Sequence, residues 1–239
     1  MKKWIATAIA LVALTASAAR LFVASSSMSG STATVPGVPL SEPVTLAAWF
    51  KATVTNANWI IVNLSTNTTG AAFGRRQIGV AGSSGFSGQV FADATDSGTR
   101  MLSPAITPGT WYHVAAVFVS STERYLYLNG VPVATNTSAP TTGWSGHRML
   151  VGTRYDGSVF GQFADGRIAE VALWAVALSA GQVSSLAAGK DPRTVSATAP
   201  LVYWPMLGES SPENALVGPL SLTLTNSPTK ADHPPVVRP

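Results

Sequence analysis

Trp111-Tyr112-His113-Val114-Ala115-Ala116-Val117-Phe118, then Arg124-Tyr125-Leu126-Tyr127-Leu128, then Asn129-Gly130 and Val131-Pro132-Val133-Ala134 form the stretch on which the fold turns. Its β-branched and aromatic runs suit a pleated, half-buried surface better than a helix. Asn-Gly is the strongest two-residue hairpin signal, because a type I′ turn needs positive φ at both positions. Pro132 has no N–H for a ladder, which sets the returning segment at an edge or at a strand's start. Working outward, Val44, Leu46, Ala48 and Phe50 alternate with Thr45, Ala47, Trp49 and Lys51, so each set lines one face of a strand. Trp59-Ile60-Ile61-Val62-Asn63-Leu64 is apolar almost throughout and reads as a central strand covered on both sides. Further strands are expected at 148–152, 166–174, 201–204 and 220–224. Short strands bounded by Gly, Pro, Asn or Ser recur from Arg20 onward, the pattern of an all-β antiparallel sandwich.

One helix interrupts this pattern near the C-terminal end. Ser179 is placed to cap it, Gln182 completes a capping box, Val183, Leu186 and Ala187 form its apolar side, and Gly189 ends it. No second domain or internal repeat is apparent. The body is expected over residues 19–227, with 228–239 as an extended or disordered tail.

Composition removes several chemistries. The 239 residues contain no cysteine, which excludes disulfides, a thiol nucleophile and a cysteine-held metal. Only 11% of the residues are charged, and the 15 Lys and Arg against 11 Asp and Glu are scattered, with Lys2-Lys3 and Arg75-Arg76 the adjacent basic pairs. Phosphate binding needs clustered charge, so no nucleic-acid partner is expected.

At the N-terminus, Met1-Lys2-Lys3 precedes an uncharged run from Trp4 to Ala16 and then small residues, Ala16-Ser17-Ala18-Ala19. This reads as a secretory signal over residues 1–18, the alternative being a retained hydrophobic arm. The run is too short for a transmembrane anchor. Cleavage would direct the chain to the periplasm or outside the cell, and removing Lys2 and Lys3 leaves a charge near +2 from the initial +4.

Trp111-Tyr112-His113-Val114-Ala115, Leu126-Tyr127-Leu128-Asn129-Gly130 and Gly166-Arg167-Ile168-Ala169-Glu170-Val171-Ala172-Leu173-Trp174 with Ala177-Leu178-Ser179 resemble the laminin-G-like, concanavalin A-like jelly-roll family. Pro43 to Lys51 and Leu201 to Trp204 fit the same pattern, and the resemblance extends over roughly Arg20 to Thr225. It implies two antiparallel sheets packed face to face as a jelly roll, the more concave one often presenting ligand, with the short helix closing the chain end. Because lectins, adhesion modules, glycosidases and virion proteins share this scaffold, function must come from the site.

A glycosidase resembling the laminarinase type would carry Glu-x-Asp-x-x-Glu on one strand, setting acid and nucleophile side by side. Glu42, Glu123, Glu170, Glu209 and Glu213 each lack an Asp two residues on, and no Gly-x-Ser-x-Gly elbow occurs. The chain is therefore expected not to be an enzyme. Asp93 and Asp96 read as solvated turn residues, His113 as a packed histidine, and Trp49, Trp111, Trp174 and Trp204 as core. No cofactor is expected. Calcium, the metal the resemblance implies, is not favoured, because relatives place Asp where this chain has Ala169; Asp156, Asp165, Asp93 and Asp96 are the remaining candidates and the metal site is unassigned.

Sugar recognition needs an aromatic face beside hydrogen-bonding groups. Trp144, His147, Tyr155 and Asp156 supply both within loops flanking the strand at 149–152, and are the expected ligand-binding residues. The leading expectation is a non-catalytic binding or adhesion module recognising a glycan or a protein surface. Low charge and a Ser/Thr/Ala/Gly-rich surface also suit a bacteriophage virion protein, a decoration or fibre module whose partners would be capsid or other virion proteins.

Overall fold

The computed structural model describes residues 19–23, 27–31, 41–65, 74–82, 85–94, 97–141, 143–144, 148–155, 160–208, 212–226 and 228–236. Residues 1–18, and the reading of them as a signal or arm, lie outside the described residues. In chain order the strands are β1 (Ala19–Phe22), β2 (Ser27–Ser31), β3 (Val44–Ala52), β4 (Trp59–Ser65), β5 (Arg75–Ala81), β6 (Gln89–Asp93), β7 (Met101–Ala105), β8 (Trp111–Ser120) and β9 (Glu123–Leu128). They continue with β10 (Val131–Asn136), β11 (Arg148–Val151), β12 (Arg154–Tyr155), β13 (Phe160–Gly161) and β14 (Gly166–Trp174). The helix α1 (Ala180–Ala187), then β15 (Val202–Trp204), β16 (Glu213–Asn214), β17 (Ser221–Thr225) and β18 (Thr229–Ala231) complete the chain.

The result is a two-sheet antiparallel jelly-roll sandwich with one short helix near its C-terminal end. Sheet I runs β10-β9-β8-β3-β14-β1-β18, with β15 also on β14; sheet II runs β16-β17-β2-β11-β4-β5-β6-β7. β10, which carries Pro132, is the edge strand of sheet I, where a missing N–H costs no ladder bond. Asn129 and Gly130 have φ of 51° and 80°, the left-handed pair a type I′ turn requires.

The alternation in β3 sorts its side chains. Val44, Leu46, Ala48 and Phe50 enter the main core between the sheets, where Trp59, Val62, Ile78, Val114, Leu126, Val171 and Trp204 meet them. Ala47 and Trp49 face the other way. On that outer face of sheet I, Ala172, Ala47 and Ala115 lie side by side in register, and these small side chains let α1 settle with Val183 and Leu186 buried. Ser179 and Gln182 form the reciprocal capping box, and Gly130 meets the helix so closely that an added Cβ would lie 2.9 Å from Ser184 Cα.

The rest of this face is covered by residues 228–236, the described part of the segment expected as an extended or disordered tail. β18 pairs antiparallel with β1, Val236 packs with Trp49 and Ala169, and Asp232 binds Lys51 Nζ at 2.7 Å and Arg167 Nε at 2.5 Å. Burial opposes ionisation of Asp232, but the Lys51 hydrogen bond and the two cations outweigh it and hold its pKa below the ordinary value. Trp111, expected in the core, instead lies half-buried on this outer face with the Lys51 ammonium 5.6 Å from its ring centre. His113 is packed as expected: it is 2% exposed, and burial alone lowers its pKa to about 3, so the ring is neutral at ordinary pH. Among the described residues no helix is long and apolar enough to cross a membrane.

Candidate functional site

Two neighbouring arginines on β5 open the two polar regions of sheet II. Successive side chains on a strand point to opposite faces. Arg76 therefore turns inward with Ile78 and Val80, while Arg75 and Gln77 turn outward.

Arg76 is 2% exposed, a position in which a guanidinium must be answered because it cannot shed its proton. Glu42 answers it: Arg76 Nε donates to Glu42 Oε1 at 2.7 Å, Nη2 donates to the same oxygen, and Nη1 donates to the Arg75 carbonyl at 2.8 Å. Burial draws the Arg76 pKa down from its ordinary value, with the charge and hydrogen bond of Glu42 pulling against it. The guanidinium also lies 4.8 Å from the ring centre of Trp144 and 5.6 Å from that of Phe118. Gly74 allows the Trp144 loop this close, since a Cβ there would sit 2.3 Å from the Gly143 carbonyl oxygen and 2.4 Å from Trp144 Cα.

Around this pair opens a cleft of about 360 Å³ whose lining includes Ser41, Glu42, Arg76, Ser121, Pro140 and Trp144. A second buried arginine fastens its walls. Arg124 Nη1 donates to the Ser121 carbonyl at 2.7 Å, and Nη2 donates to Asn136 Oδ1 at 2.7 Å and to the Ser138 carbonyl. Both bonds from Arg76 fall on Glu42 Oε1, which leaves Oε2 without a hydrogen bond to any described residue, on a side chain that lines the cleft. Trp144 Nε1 is buried without a partner, so Trp144 contributes its ring to the cleft rather than a donor.

The outer face of sheet II is different. Arg148, Ser65 and Arg75 form one register row across β11, β4 and β5, and Leu150, Asn63, Gln77 and Asp93 form the next. Asn63 Nδ2 donates to Gln77 Oε1 and Gln77 Nε2 donates to Asp93 Oδ2, each at 3.1 Å. Arg75 and Arg100 reach the Asp93 carboxylate at 3.3 and 3.4 Å. Asp93, expected as a solvated turn residue, is thus the fully buried end of β6 in an ion-pair network. The β12–β13 hairpin stands at the margin of this face, where Arg148 lies 4.3 Å from the ring centre of Tyr155 and 5.9 Å from that of Phe160.

Of the expected ligand-binding residues, Trp144 and Tyr155 attend to different arginines on opposite faces of sheet II, and His147 and Asp156 lie outside the described residues. Arg76, Glu42 and Arg148 were not singled out as site residues. The signal for Arg76 was present, since an adjacent Arg75-Arg76 inside a strand must split between the faces. Nothing local pointed to Glu42, 34 residues away. Each fully buried carboxylate among the described residues has a basic partner: Asp93 with Arg75 and Arg100, Glu213 with Arg20, Asp191 with Arg193, and Glu170 with His233. No three His, Asp or Glu side chains among the described residues gather as metal ligands.

Two stacked antiparallel sheets, with a cleft lined in part by polar residues, define a jelly-roll sandwich of the concanavalin A-like type. The chain belongs to the concanavalin A-like lectin/glucanases superfamily, whose pattern matches residues 27–184. Among solved structures, it is similar to a candidate carbohydrate binding protein of Bacteroides ovatus, with TM-score 0.69 and 18% identity, over 94% of this chain and 62% of that one. The chain therefore spans less than two thirds of that protein. It is similar to the heptameric SAP-like pentraxin of Limulus polyphemus, with TM-score 0.58 and 18% identity over 88% and 95% of the two chains. A third likeness is to the CBM40 of the Ruminococcus gnavus IT-sialidase, solved with α2,3-sialyllactose, with TM-score 0.54 and 15% identity over 72% and 100%. Identities this low speak for a shared fold alone. No curated protein matches the chain.

Proposed function

We propose that this protein is a non-catalytic, exported glycan-binding module, and that the cleft beside Trp144 contacts the sugar. The observation that carries the reading is the combination found there: an aromatic ring, a carboxylate with one oxygen uncommitted, and walls held in place by Arg76 and Arg124. An aromatic face stacks on sugar C–H groups, while a fixed acceptor selects a hydroxyl, and a cleft of about 360 Å³ falls within the size of small-ligand sites. The arginine partners of Asp93, Asp191 and Glu213 support the non-catalytic part of the reading, because a carboxylate held by arginine is poorly suited to donate a proton as a general acid. The solved likenesses whose descriptions name carbohydrate support it as well, whereas a virion role gains no support from them.

A glycan array followed by polysaccharide pull-down tests the proposal, with Trp144→Ala as the control. The expected result is binding to an immobilised glycan, weakened at least about tenfold by Trp144→Ala while the β-type circular dichroism spectrum persists. Absence of binding to every glycan surface overturns it. An N-terminus at Ala19 in the natural protein is the expected sign of export, and an intact Met1 would remove that part.

A further inference from the structure

The charges around the Trp144 cleft differ in what they have left to offer a ligand. Arg76 donates from Nε and Nη2 to Glu42 Oε1 and from Nη1 to the Arg75 carbonyl. Both terminal nitrogens of Arg124 donate to protein oxygens as well. These two side chains are 2% and 1% exposed, so neither presents a cation at the wall. Glu42 does present its charge: its side chain is 12% exposed, lines the cleft and keeps Oε2 without a hydrogen bond to any described residue. With Arg76 it forms a dipole, and Oε2 belongs to the negative end. The mouth is open. Ser41, Ser121, Ala139 and Gly143 in the lining are exposed, and a Cβ added at Gly143 would meet nothing within 4 Å.

We infer that this cleft admits uncharged sugars and rejects acidic ones, with Glu42 setting that choice. The inference rests on the glycan-binding reading and adds the class of sugar. A sugar hydroxyl can donate to Glu42 Oε2, whereas a sugar carboxylate has no proton to give and sets a like charge against it. The arginines add positive charge nearby, but each is separated from the ligand by the oxygens it binds. Coulomb energy falls with distance, so the carboxylate in the lining outweighs the guanidinium groups behind it. Ser41 and Ser121 bring hydroxyls, which donate or accept with equal ease and suit the hydroxyl groups of a neutral ring. Ala139 and Gly143 leave room for that ring because their side chains are small or absent.

An array that pairs each neutral glycan with its uronate form tests this, among them cellopentaose, maltopentaose and mannopentaose beside the same chains oxidised from CH2OH to carboxylate at C6. The expected result is at least about tenfold tighter binding of a neutral chain than of its own uronate form. Raising the salt should narrow that gap, because repulsion is screened while neutral binding holds. Glu42→Gln, which keeps the shape and removes the charge, should bring the ratio to one or below. Should Glu42→Gln fail to fold for want of a partner to Arg76, Gly143→Phe decides: its ring enters open space, so the β-type circular dichroism spectrum should persist while neutral binding falls at least about tenfold. Uronate forms bound as tightly as neutral chains, with binding still lost on Trp144→Ala, overturn the inference and leave the glycan reading intact. Neutral binding unmoved by Gly143→Phe overturns it too. No binding to any glycan on the array overturns both.

Discussion

Arg76 and Arg148 each carry an aromatic ring on the guanidinium, Trp144 at 4.8 Å and Tyr155 at 4.3 Å, yet among the described residues one meets a carboxylate and the other does not. They belong to one sheet and differ in the face they choose. Arg76 turns into the sandwich, where it is 2% exposed at the wall of the cleft, and its charge is tolerable only with Glu42 beside it. Arg148 turns out and keeps partial contact with solvent, so no internal partner is needed for the fold. Among the described residues, the same pair of residue types thus stands beside a buried carboxylate on one side of the sheet and beside rings alone on the other.

The comparison breaks first at Glu42. Glu42→Ala should cost about 3–5 kcal/mol of stability in urea unfolding, because it strands a buried cation; a loss below about 1 kcal/mol would mean that Arg76 finds water through the cleft. His113 sharpens the point with a third solution, a buried basic group that has no carboxylate and simply stays neutral. Its folded pKa of about 3 lies below the ordinary 6.5, so as pH falls the unfolded chain takes up the proton first. Its contribution is therefore intact above about pH 6.5 and drains away between there and about pH 3. Comparing unfolding at pH 7 and pH 4, the natural protein should lose about 2–3 kcal/mol more than His113→Phe, and parallel acid limbs would contradict this. The smallest effect belongs to Arg148. Arg148→Gln should change stability by less than about 1 kcal/mol, the scale of a part-exposed cation–π contact, and a larger loss would make Arg148 a structural residue like Arg76.

The local grammar of the fold was readable. Alternation in Val44 to Lys51 separated core from outer face, Asn129-Gly130 announced its turn by the φ it demands, and Ser179 with Gln182 declared the helix start. Each is a short-range consequence of side-chain direction or backbone sterics. The site was less legible. Trp144 and Tyr155 were recognisable as aromatics near loops, but the twelve-residue patch that joined them in sequence is split by the sheet between them. Asp93 looked like a turn residue because its partners Arg75 and Arg100 come from the strand before and the segment after. Trp111 looked like core because parity says that a residue faces the same way as its neighbours, not which of two faces is the inside.

By itself, the sequence determined strand periods, turn positions, the capped helix and the absence of cysteine chemistry. Only the tertiary structure decided which charge meets which: Glu42 with Arg76 across 34 residues, and Arg20 with Glu213 across 193. The reason is range. Hydrogen-bond geometry and side-chain alternation act over a few residues, whereas an ion pair in a sandwich depends on which strands become neighbours, and burial of the whole core settles that.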